Sequence, residues 1–339
     1  MGNNQQQQQQ DDIFNKVIES NKWLSENSKY VKINNEEIDN FIKTLSKEQY
    51  NKHSSLVTFP LNFSSIQQEV CFWFILDLIN IGSGFRKELH EVSDRGAYET
   101  ICYGLLVSTE VQQPDLPGIY TYRDSVVKPL IVNIHKILKE SAEIIYRLGH
   151  SDFGAYVLSL YNVYDAEQGP LASTLVQALV DTFPAFKDEA KYTDGETTKT
   201  IYLEKKAQLL AADLYRRFKD TDARFNFIDV DRMSIFTDNV VPAVLRKLNI
   251  LQVTDDTLVQ QINQGRELPA QSPQEVELRG LAIYASRLIV QRAAQIFSST
   301  PEENFIGNDV KLDYYLWSVG KQPEYRSFER HSTKQTLFY

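Results

Sequence analysis

Apolar residues recur along this chain mostly at intervals of three and four, the spacing that lines one face of an α-helix. The pattern begins at Asp12, with Ile13, Phe14, Val17 and Ile18 on one side, and returns over 36–45. Residues 67–80 (QQEVCFWFILDLIN) are apolar nearly all round, which predicts a buried central helix, and Gly82-Ser83-Gly84 supplies its stop. Further helices are predicted over 94–107, 123–148, 153–163, 170–182, 201–218 and 240–248. Ser272-Pro273-Gln274-Glu275 combines a cap, a first-turn proline and the acidic arm of a capping box, so a helix running to about Phe297 follows. A last helix is expected over 311–319. Pro114 and Pro117 mark a loop, 187–198 reads as an acidic loop, and 226–237 as irregular or briefly extended. No period-2 series is long enough for a large sheet. The expectation is a mainly α protein: one helical domain over 12–339 behind a disordered polar tail, 1–11, that contains six glutamines.

Composition narrows the classes of function. With 42% hydrophobic residues, 18 Phe, 18 Tyr and 3 Trp, the chain has ample surface to bury. Its net charge of −9 repels phosphate backbones, which argues against direct nucleic-acid binding but leaves room for a small anionic ligand in a locally basic pocket. The two cysteines, Cys71 and Cys102, form no CxxC pair, and the five histidines are scattered, so neither a disulfide framework nor a metal is expected. The longest apolar run, 70–76, is too short to span a bilayer, and the start of the chain has no signal-peptide pattern. A cytoplasmic location, or one shared with the nucleus, is expected by elimination. G-x-G-x-x-G, Walker and G-x-S-x-G motifs are absent.

Five segments carry candidate chemistry. In Phe236-Thr237-Asp238-Asn239-Val240-Val241-Pro242 an apolar run delivers a carboxylate to a predicted helix start. The plain reading of Asp238 is an N-cap. The functional reading is a carboxylate held at a fixed place beside a cleft, where it can stabilise or attack an oxocarbenium ion as a base leaves a ribose. In Leu203–Leu210 the apolar stripe leaves Lys206 at its edge and turns Lys205 away. Lys206 is then either a snorkelling side chain, with Asp213 as its partner, or a cation facing a pocket. Glu275 and Arg279 have the spacing of a surface ion pair, while Glu277 or Arg279 facing a site is the functional alternative, with Gly280 allowing a close approach. Asp313, before two tyrosines, is a candidate for a ring nitrogen or ribose hydroxyl; Phe186 and Asp188 are candidates for stacking on a base and reading its edge.

Taken in order, several stretches resemble the queuosine salvage protein family: 28–33 (SKYVKI), 78–86 (LINIGSGFR), 183–188 (FPAFKD), 205–208 (KKAQ), 236–242 (FTDNVVP), 277–279 (ELR), 312–317 (LDYYLW) and the closing Phe338-Tyr339. The resemblance covers nearly the whole chain from about residue 14. It implies an all-helical core similar to helix-hairpin-helix DNA glycosylases with a small peripheral β element. It also implies cofactor-free hydrolysis of queuosine 5′-monophosphate to queuine and ribose 5-phosphate. The carboxylate of the family's F-x-D motif falls on Asp238, and its motif lysine on Lys205 or Lys206, of which the helical wheel favours Lys206. Animal-type members have Tyr-Arg where Asn239-Val240 stand here, and many relatives have an aromatic within the stretch occupied by Ile81–Gly84; both departures resemble the fungal-type branch. The resulting expectation has the base on Phe186 and Asp188, the phosphate on Lys206 and Arg279, and Asp238 under the sugar, with Glu277, Asp313 and Asn239 as further contacts. The alternative is a non-catalytic helical module that binds a nucleotide or a protein.

Overall fold

The computed structural model describes residues 12–54, 62–94, 97, 99–101, 126–161 and 169–339. The polar tail at 1–11, most of the helix expected over 94–107 and the loop at Pro114 and Pro117 lie outside these residues. In chain order the main elements are α1 (Ile13–Asn27), β1 (Val31–Ile33), α2 (Asn35–Thr44), α3 (Lys47–His53), α4 (Ile66–Leu78), α5 (Arg86–Ser93), α6 (Lys128–Arg147), α7 (Phe153–Ser159) and α8 (Ala172–Thr182). They continue with β2 (Glu189–Asp194), β3 (Thr197–Tyr202), α9 (Lys205–Phe218), α10 (Val240–Lys247), β4 (Leu251–Val253), α11 (Asp256–Asn263), α12 (Pro273–Ile296), α13 (Asp309–Val319) and α14 (Pro323–Arg326). The described residues are mainly helical, as the periodicity predicts, and include two small sheets. Among the described residues no helix is long and apolar enough to cross a membrane.

Local signals set most helix starts. Asp12 accepts the Asn15 N–H at 3.0 Å and opens α1. Ser272 caps α12 through the Glu275 N–H, but the Glu275 carboxylate returns to the Gln271 N–H instead of closing the box on the cap residue itself. Gly280 has the close approach expected of it: a Cβ there would lie 2.3 Å from Asn21 Oδ1, so α1 can seat on α12 only at a glycine.

The strands depart from expectation. The acidic loop predicted over 187–198 is an antiparallel hairpin in which Glu189 faces Tyr202 and Asp194 faces Thr197 across Gly195-Glu196. Ala190 and Tyr192 point inward and Lys191 points out, an alternation masked by the polar run around it. The hairpin also moves the start of α9 from the expected Ile201 to Lys205, because 201–202 complete β3. A second small sheet pairs Val31 with Val253 and Ile33 with Leu251.

Among the described residues, buried side chains form two clusters. One gathers α4, α7, α8 and the buried face of α9; the other gathers α1, α10, α12 and α13 with the hairpin. The segment between α9 and α10, with Phe236 in the first cluster and Val240 in the second, runs along the seam. That seam holds the candidate site.

Candidate active site

Asp238 precedes the cap residue of α10, which is Asn239. It nevertheless does the work of a cap, since its Oδ1 accepts the Val240 N–H at 2.6 Å. The side chain is 7% exposed, and that small opening faces a cavity of about 90 Å3 that opens to solvent. The walls come from distant parts of the chain: Asn80, Ile81 and Ser83 after α4, Arg86 and His90 on α5, Trp317 on α13, and Lys321, Arg326 and Arg330 beyond it. Asn239 also lines the cavity and donates through Nδ2 to the Ser83 carbonyl at 3.1 Å.

Cationic side chains outnumber anionic ones on the cavity wall: Arg86, Lys321, Arg326 and Arg330 against Asp238 and Glu99. Arg86 donates to the Arg326 carbonyl at 2.9 Å and Arg330 to the Gly320 carbonyl at 2.6 Å. Among the described residues none of these three guanidinium groups has an ion pair with a carboxylate. Burial, with Arg86 and Arg326 nearby, pushes Arg330 down to about 10 against the opposing pull of Asp238. Cations gathered on one wall favour an anion, and guanidinium forks match phosphate oxygens. Sequence reasoning did not assign these arginines to the site. Arg86 lies about 240 positions from the other two, and the segment 320–330 has no periodicity to mark a face.

A polar cluster lies behind Asp238. Lys205, on the first turn of α9, donates to both the side-chain and main-chain oxygens of Asn80, at 2.8 and 2.9 Å. Burial lowers its pKa, and Asp238 and Asp77 hold it up. Lys206 instead donates to the carbonyls of Leu78 at 2.8 Å and Leu337 at 2.7 Å, deep in the protein. The edge position that the wheel gives Lys206 therefore meets main-chain carbonyls of the core. Both side chains are buried by the end of α4 and not by the helices that define the apolar stripe, so the wheel does not separate them. Asp213 pairs with Arg216 and accepts from Tyr314, not from Lys206. Asp313 accepts the Phe236 N–H at 2.8 Å and so ties α13 to the segment carrying Asp238. Burial, with Asp238 adding, raises its pKa well above the usual range and favours the protonated form.

Four other expected contacts are committed elsewhere. The guanidinium of Arg279 meets both oxygens of Asp188 at 3.1 and 2.5 Å, Glu275 at 3.2 Å, and the Thr237 carbonyl at 3.1 and 3.2 Å. Neither Arg279 nor Asp188 has a face left for substrate; together they anchor the residue before Asp238. Glu277 is fully buried and accepts the N–H groups of Lys29, Tyr30 and Val31 and the Tyr192 hydroxyl. That clasp accounts for the 28–33 stretch, which serves the fold and not the cavity. Phe186 is fully buried among Phe74, Phe183 and Lys206, so its ring has no free face for a base. Trp317 is the aromatic ring on the cavity wall, with Lys321 Nζ 3.1 Å from its centroid.

Glu204, just before Lys205, accepts the Asp188 N–H at 3.0 Å through one oxygen and leaves the other buried and unpartnered. Burial, with Asp188 adding, raises it from 4.5 to about 9. The folded state therefore keeps a proton that the unfolded state loses above pH 4.5, and stability falls as pH rises towards 9. Glu204→Gln should flatten that fall in denaturant midpoints measured from pH 6 to pH 9. Parallel pH profiles for the two proteins would remove Glu204 as the cause.

Comparison with known proteins gives the family. A family model described as Queuosine salvage protein matches residues 106–339. The mouse queuosine 5′-phosphate N-glycosylase/hydrolase is 30% identical over 60% of this chain, a match spanning 56% of the mouse protein. The protein of that name from Nematostella vectensis is 25% identical over 95% of this chain and 97% of its own length. One from Sphaerobacter thermophilus is 28% identical over 68% and 64%. With the family model covering well over half of its length, the chain belongs to the queuosine salvage protein family.

Proposed function

We propose that the protein hydrolyses the N-glycosidic bond of queuosine 5′-monophosphate, releasing queuine, the base salvaged for tRNA modification, and ribose 5-phosphate. The observation that carries this reading is the placement of Asp238 in one cavity with Arg86, Arg326 and Arg330. The substrate has two electrostatic needs at its two ends. Its phosphate is anionic throughout, and its ribose becomes cationic only as the C1′–N bond stretches. Arginines at one place and a carboxylate at another meet both, and the carboxylate acts selectively in the transition state. Trp317 lines the same cavity, with Lys321 over its ring. Lys205, through Asn80, and Asp313, through the Phe236 N–H, hold the floor of the cavity.

The test is chromatographic detection of queuine after incubating the protein with the nucleotide and, separately, with the nucleoside. The nucleotide should be turned over far faster. Arg330→Met should raise KM for the nucleotide by about 10- to 100-fold, the worth of a charge-assisted hydrogen bond, and leave the nucleoside nearly unaffected. Tight binding of the nucleotide without base release would instead describe a binding module.

A further inference from the structure

We infer that Tyr339 is a positioning residue for this site, fixing the Asp238 carboxylate through Glu275, Arg279 and the Thr237 carbonyl. The inference rests on the proposed role of Asp238. Residues 331–339 pass behind the cavity in close contact with its frame. A Cβ on Gly84 would lie 2.3 Å from the Thr333 carbonyl oxygen, and Ser332 donates to the Gly84 carbonyl at 3.0 Å. Lys206 holds the Leu337 carbonyl. The segment ends in Tyr339, 1% exposed, whose hydroxyl donates to Glu275 Oε1 at 2.9 Å.

That same carboxylate oxygen accepts from Arg279, whose guanidinium carbon lies 4.3 Å from the centroid of the Tyr339 ring. The phenol therefore does two things for the arginine. Its ring covers a face of the guanidinium, and its hydroxyl gives the shared Glu275 oxygen a second donor. Held in this way and by Asp188, Arg279 directs two N–H groups at the Thr237 carbonyl. The hydroxyl of Thr237 is buried without a partner, so the carbonyl is the polar anchor of that residue. Fixing a carbonyl fixes its whole peptide plane, and the plane after Thr237 sets the direction in which the Asp238 side chain leaves the backbone. A loosened Tyr339 would let that plane tilt, and Asp238 Oδ1 would then lose its alignment with the Val240 N–H.

The experiment compares wild type, Tyr339→Phe, Tyr339→Ala and Asp238→Asn by steady-state base release and by amide hydrogen exchange. Tyr339→Phe keeps the ring and removes one buried hydrogen bond, so kcat should fall about 3- to 10-fold with KM unchanged, and exchange of the Val240 amide should quicken by a similar factor. Tyr339→Ala should do more of both. Amides in the middle of α12, such as that of Ile283, report on general loosening and should not change in the Phe variant. Unchanged Val240 exchange in Tyr339→Phe, or acceleration equal to that at Ile283, overturns the inference. Faster Val240 exchange with wild-type kcat overturns it too. If Asp238→Asn retains full activity, the proposed role of Asp238 fails on its own, while the exchange comparison still decides whether Tyr339 orders the segment.

Discussion

Asp238→Asn should lower kcat for base release by on the order of 100- to 1000-fold, the typical cost of losing one electrostatic contact to a developing charge. The substitution is nearly isosteric. The amide oxygen can still accept the Val240 N–H, so the start of α10 stays in place. Arg86, Arg326 and Arg330 are untouched, so the nucleotide should bind with a nearly unchanged KM. What disappears is the negative charge facing the ribose as it becomes cationic. Steady-state release of queuine measures the effect, and unfolding curves confirm that the variant is folded. A decrease of less than about tenfold would place the essential group elsewhere, since that is within reach of an ordinary hydrogen bond.

Arg279→Met should cost about 3–5 kcal/mol of folding stability, the range for breaking a buried ion pair from one side. Arg279 and Asp188 are each 2% exposed, and Glu275 is equally deep. Removing the guanidinium leaves Asp188 without its bidentate partner and the Thr237 carbonyl without either donor. Burial and Asp188 already raise the pKa of Glu275, and Arg279 opposes them, so the variant should shift Glu275 further towards its protonated form. Denaturant unfolding of the variant gives the loss directly. Adding Asp188→Leu to Arg279→Met should recover part of it, because Asp188 is then no longer a stranded charge, while Glu275 still lacks its cation. A single variant as stable as wild type would mean that water reaches the pair.

How much of this was legible differs from residue to residue. The helix at 13–27 and the long helix from Pro273 follow from periodicity and capping residues close in sequence. The hairpin at 189–202 was also within reach: Asp194-Gly195 before a threonine-rich run is a hairpin signal, obscured by the density of charge around it. Asp238 was readable as a carboxylate at a helix start. Its cavity was not, because the walls come from α4, α5, α13 and the segment near 330.

What the chain determined alone is therefore local: where helices begin and end, which faces are apolar, and that a carboxylate stands before α10. The tertiary structure decided which charges are free and which are committed. Glu275 and Arg279 have an unremarkable four-residue spacing, and only the arrival of Asp188 and Tyr339 from elsewhere makes them a buried anchor. Lys205 and Lys206 are neighbours that no helical wheel separates, yet the end of α4 sends one to Asn80 and the other to the core. Spacing along a chain sets which side chains share a face; whether a charge meets water, a ligand or another charge depends on what packs against that face.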